Sequence, residues 1–134
     1  MFKTVLFPID ASPEAQQAAF KAAELVKYHQ SHLVLLSVVE VPNGSNAHPE
    51  QTSPEAVAQL LEQAKTVFTN QGIDTEAIER EGNPAFVICD VADEMSADLI
   101  VMGCRGTGLT AEGELGSVSS RVINLSPCPV MVVP

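Results

Sequence analysis

Short apolar runs alternate along this chain with longer segments whose apolar positions recur every three or four residues. The runs predict strands near residues 3 to 9, 33 to 39, 74 to 79, 98 to 102 and 129 to 133, and the periodic segments predict helices near 13 to 30, 54 to 71, 84 to 96 and 116 to 125. Strictly alternating strands and helices imply a parallel sheet covered on both faces and joined by right-handed crossovers. In the first helix Ala15, Ala18, Ala19, Ala22, Ala23 and Val26 form one stripe, and their small size lets the helix lie close to the sheet. Ser12 and Pro13 read as its cap and first residue. Asn83 and Pro84 begin the third helix in the same way, with Val87, Ile88, Val91 and Met95 facing inward. The strand from Asp74 to Arg80 is polar enough to be an edge. Residues 41 to 53 carry Pro, Asn, Ser and Gly without apolar period, which reads as a mobile connection able to cover a site.

Length and charge narrow the classes of function. At 134 residues, 46% apolar and 18% charged, the chain can bury one core, and a single domain over 1–134 is expected. Seventeen acidic against seven basic residues give a net charge of −10, which repels DNA, RNA and anionic lipid at long range. Nucleic acid and membrane are therefore not expected partners. No apolar run reaches the roughly 18 residues of a membrane span, and the amino end starts strand-like, so a cytoplasmic protein is expected. Cys89, Cys104 and Cys128 are an odd number, which reads as small hydrophobes rather than a disulfide framework.

The candidate chemistry lies where the fourth strand enters the fourth helix. Gly103 and Gly106 are separated by two residues, Gly106 and Gly116 by nine, and Ser117, Val118 and Ser119 follow. A loop leaving a strand and entering a helix presents unpaired backbone N–H groups and the positive end of the helix dipole, both suited to an anion. Glycines let backbone approach a phosphate oxygen closely, and Ser117 and Ser119 add hydroxyls. A tight glycine turn with a serine cap uses the same residues.

This spacing resembles the G-2x-G-9x-G-[S/T] signature of the nucleotide-binding branch of the universal stress protein family. The likeness covers the whole chain. Lys3 to Ser12 resembles the family's first strand with its P-x-D-x-S turn, and Pro127 to Val133 resembles its closing strand. The resemblance implies an α/β fold of the adenine nucleotide alpha hydrolase-like, Rossmann-like class: one domain with a five-stranded parallel sheet in the order 3-2-1-4-5. In such a sheet the ligand crevice lies outside the carboxyl ends of strands one and four, where the order reverses. Both the Pro8–Asp10 turn and the Gly103 loop fall there.

By the same resemblance, Pro8 and Val38 line an adenine pocket, while Gly103, Cys104, Arg105, Gly106, Thr107, Gly108 and Leu109 wrap phosphate and ribose. Gly116, Ser117, Val118 and Ser119 receive phosphate at the helix start. Asp10 can hold Mg²⁺ or Mn²⁺ beside phosphates or accept from a ribose hydroxyl, and it is also an ordinary helix-leading residue. Arg105, between motif glycines, can reach a phosphate with a bidentate fork. The implied cofactor is ATP, AMP or a cyclic nucleotide. The last strand, Val130, Met131, Val132 and Val133, would pair across a two-fold axis to make a homodimer.

The chain departs from the family at Glu112 and Glu114, where a basic side chain is common. Like charges about 6 Å apart at an effective dielectric of about 20 repel by roughly 2 to 3 kcal/mol, which disfavours a triphosphate and favours AMP, a cyclic nucleotide or a metal complex. His29, His32 and His48 show no metal-ligand spacing and read as surface residues. Neither a P-loop lysine nor a paired nucleophile and base is visible, so turnover beyond slow ATP hydrolysis is not expected. Cys104 is the one candidate reactive thiol. The leading expectation is a nucleotide-binding regulatory module of the stress response. A slow metal-dependent ATPase and a nucleotide-free dimeric scaffold are the alternatives.

Overall fold

In the computed structural model, five parallel strands stand in the order β3-β2-β1-β4-β5, as the resemblance implied. The structure describes residues 2–9, 13–39, 54–103 and 117–134, so the connection at 41–53, the Ser12 cap and most of the glycine loop lie outside the described residues. The strands are β1 (Thr4–Pro8), β2 (His32–Val39), β3 (Asp74–Glu81), β4 (Leu99–Gly103) and β5 (Val130–Val133). The helices are α1 (Pro13–His29), α2 (Pro54–Asn70), α3 (Pro84–Glu94) and α4 (Ser117–Leu125). Each predicted element is present, and the polar strand β3 is indeed an edge.

Strand alternation divides the core into two layers. Val5 and Phe7 of β1, Leu33 and Leu35 of β2, and Leu99 and Val101 of β4 face one way, onto Ala18, Ala22 and Val26 of α1 and Val57, Leu61 and Phe68 of α2. Leu6, Val34, Leu36, Ile100 and Met102 face the other way, onto Ile88, Val91 and Ala92 of α3 and Val122 of α4. Both faces of the three central strands are buried, which is why those strands read as continuous apolar runs. Of the alanine stripe of α1, Ala18 and Ala22 are fully buried, with Ala23 and Val26 nearly so.

Helix ends follow local chemistry. Asn83 caps α3, its side-chain oxygen accepting from the Phe86 N–H at 3.4 Å, and Pro84 starts the helix. Gly72 lets the chain leave α2 at φ +80°. Gly82, at φ +141°, turns the chain from β3 into α3, and a Cβ there would meet Val87 Cγ2 at 3.0 Å. No described helix is long and apolar enough to cross a membrane.

Candidate nucleotide site

The carboxyl ends of β1, β2 and β4 meet at the order reversal, and hydrogen bonds hold them in place. Pro8 ends β1 opposite Leu36 of β2. Just beyond it, the Ile9 N–H donates to the Leu36 carbonyl at 2.8 Å. The buried Ser37 hydroxyl donates back to the Ile9 carbonyl at 3.2 Å. The turn that leads to Asp10 is thereby pinned to β2 before it leaves the described residues.

Alternation places Pro8 on the face of Leu6 and Val38 on the face of Leu36. Val38 and Val118 are half-buried and both pack against the α3–α4 layer of the core. Three of the predicted residues thus share one end and one face of the sheet as an apolar rim, the usual wall of a small-molecule site.

The fourth strand and fourth helix are tied directly. Gly103 closes β4 opposite Val133, and the Ser119 hydroxyl donates to the Gly103 carbonyl at 3.0 Å. Ser119 is 3% exposed, so this bond sits inside the core. It ties the amino end of α4, with its positive dipole end, to the carboxyl end of β4. The Ser119 hydroxyl thus takes part in holding β4 to α4. Gly103, Val118 and Ser119 are therefore brought to one place. Asp10, Cys104, Arg105, Gly106, Thr107, Gly108, Leu109 and Gly116 lie outside the described residues, as does the side chain of Ser117.

Elsewhere the titratable groups are engaged in the fold. Burial pushes the Cys89 thiol up, helped by Asp90 and Cys128; burial also raises Cys128 against an opposing hydrogen bond from Ser126. Neither is a ready thiolate. Among the described residues no group of three or more His, Cys, Asp or Glu side chains is arranged to hold a metal ion.

His32 differs from the surface reading. Its Nδ1 is 2.9 Å from Asp74 Oδ2 and its Nε2 is 3.1 Å from Glu76 Oε1. Burial works against the charged imidazole, but the hydrogen bonds it donates to Glu76 and Asp74, with their negative charges, outweigh burial and hold its pKa above the ordinary 6.5. Only the imidazolium can donate to both carboxylates at once. The alternate acidic positions 74 and 76 are a strand-period signal, but nothing local says that His32 lies opposite Asp74.

The universal stress protein family matches residues 1–134. A universal stress protein of Synechocystis sp. is 64% identical over 136 residues, covering 100% of this chain and 87% of that protein. Universal stress protein UspA from Lactobacillus plantarum superposes with a TM-score of 0.83 at 27% identity, covering 99% of this chain and 98% of that one. The Archaeoglobus fulgidus universal stress protein in complex with dAMP shares the fold at a TM-score of 0.72 and 24% identity, covering 100% of this chain and 98% of that one.

Proposed function

Because the chain belongs to the universal stress protein family over its whole length, we propose that it binds an adenine nucleotide at the crevice between β1 and β4 and acts as a regulatory module of the stress response. The observation that carries this reading is the Ser119–Gly103 clamp, which ties the amino end of α4 to the carboxyl end of β4, beside the order reversal of the sheet. Proteins of this fold with cAMP, dAMP or AMP bound support the ligand class.

In this reading Pro8 and Val38 flank the adenine, and Asp10 takes the ribose or a Mg²⁺ or Mn²⁺ ion. Gly103 to Leu109 and Gly116 to Ser119 enclose the phosphates with backbone N–H groups. Glu112 and Glu114 favour AMP, a cyclic nucleotide or metal-bound ATP over the bare triphosphate. Binding rather than turnover carries the function. Occupancy of the loop orders the site, and the change reaches a partner surface or a homodimer formed through Val130, Met131, Val132 and Val133, where β5 is a sheet edge with Met131 exposed. The module works in the cytoplasm.

Isothermal calorimetry of nucleotide-stripped protein with ATP, AMP and cyclic AMP, each with and without Mg²⁺, tests the reading. Saturable binding near one site per chain is expected. No heat with any of them, from folded protein, overturns it in favour of the nucleotide-free scaffold.

A further inference from the structure

The sheet has a second edge, β3, whose chemistry is unlike that of β5. All of β3 pairs in parallel with β2, from Asp74 opposite His32 to Glu81 opposite Val39, and among the described residues no strand lies on its outer side. Among the described residues, the eight-residue outer edge of β3 is thus left for a further strand. Beside it runs a groove of about 610 Å³ between α2 and β3, lined among others by Leu61, Glu62, Lys65, Ala77 and Glu79.

Charge selects what can pair there. The strand carries Asp74, Glu76, Glu79 and Glu81 against Arg80 alone. Arg80 is directed to Glu94 of α3, with Nη2 to Oε2 at 3.6 Å, while Asp74 and Glu76 share His32. Glu79 and Glu81 are exposed and have no cation assigned to them among these ion pairs. Two copies joined along β3 would set carboxylates against carboxylates, and like charges opposite one another across strands destabilise pairing. The charges that keep copies apart leave one class of strand favoured, one with Lys or Arg at alternate positions.

We propose that β3 is a docking edge for an extended basic segment of a partner protein. The segment adds as a sixth strand, its backbone on the open edge of β3 and its cations beside Glu79 and Glu81. Glu79 and Glu81 share the α2 face with Ala77, so the aliphatic stems of those cations lie along the groove against Leu61 and Ala77, and the alternate Val and Thr side chains take the opposite face. Backbone pairing supplies the affinity and the carboxylates supply the choice of partner.

The probe is an unstructured peptide matched to the eight residues of β3, alternating Lys with Val and Thr, titrated into the isotopically labelled full chain. Two controls accompany it: the same peptide with Glu for Lys, and the same peptide N-methylated at every residue, which keeps the charge but cannot build a ladder. Expected are amide shifts and slowed hydrogen exchange at residues 74–81 with the basic peptide only. Glu79→Lys combined with Glu81→Lys should weaken binding by about tenfold or more while leaving the urea midpoint unchanged, both side chains being exposed. Absence of binding, equal binding of the N-methylated peptide, or shifts centred elsewhere would each overturn the proposal.

Discussion

The two ends of the sheet use their polar groups in opposite ways. At the amino end, side chains close the structure. Asp98 Oδ2 accepts from the N–H groups of Lys3 and Thr4, both at 3.0 Å, and the Ser31 hydroxyl donates to the Phe2 carbonyl. His32 bridges Asp74 and Glu76 on the same end of the sheet. At the carboxyl end, Ser37 and Ser119 secure the strand ends, and the chain then runs into the amino termini of the helices. Parallel strands with helical crossovers make this division unavoidable, since every helix that follows a strand begins at the strand's carboxyl end. The positive dipole ends gather there, while α1 brings its negative end back to the amino side, where Lys27 and His29 occupy its last turn. An anion is welcome at one end, and a cation such as the His32 imidazolium at the other.

If that division is correct, substitutions at the carboxyl end should impair binding and those at the amino end stability. The largest effect is expected from Gly106→Val or Gly116→Val, which add branched carbon at the glycines that the proposed function assigns to the phosphates. Each should weaken nucleotide binding by at least about a hundredfold, roughly 3 kcal/mol, in calorimetry, with the dimer preserved in ultracentrifugation. Unchanged affinity would remove the glycine loop from the site.

Asp98→Ala is the counterpart at the amino end. It strips the acceptor from two backbone donors and should cost about 2 to 3 kcal/mol in urea unfolding, leaving nucleotide affinity within about twofold. A large loss of affinity would show that the two ends are coupled. Ser119→Ala is expected to do some of each. Removing the buried clamp should cost about 1 to 2 kcal/mol of stability and also weaken binding several-fold, because the loop ends are no longer held together. A stability loss with no change in affinity would make the clamp purely structural.

The smallest effect is a pH dependence. The folded pKa of His32 stands above its ordinary 6.5, so its contribution is fully present below that value and is lost as pH rises through the folded value. The urea midpoint should therefore carry a component that falls as pH rises above 6.5, and His32→Gln should abolish that component. The same slope in both proteins would assign the effect elsewhere. Nucleotide affinity should not follow His32, which lies at the other end of the sheet.

Much of the scaffold was legible because its signals are local. The strands β1, β2 and β4 are buried on both faces, so each appears as an apolar run that any window detects. Asn83 three residues before Phe86 is a cap that depends on one turn of backbone. The acidic pattern of β3 marked an edge for the same reason that it selects a partner there: carboxylates are costly between two neighbouring strands. The site was legible only as a composition, a glycine spacing and an apolar valine. Ser119 reads as a phosphate donor by position, and the structure adds a bond from its hydroxyl to Gly103, sixteen residues earlier.

His32 illustrates the limit most clearly. Its two acidic partners lie 42 and 44 residues away, and only the parallel register of β2 on β3 brings them to the ring. The sequence alone determined the alternation of elements, the polar edge, the family and the glycine loop, because periodicity, caps and motifs are short-range properties of the chain. The tertiary structure alone decided which polar groups are consumed by the fold. A hydrogen bond between strands depends on register, and register follows from packing the whole core at once.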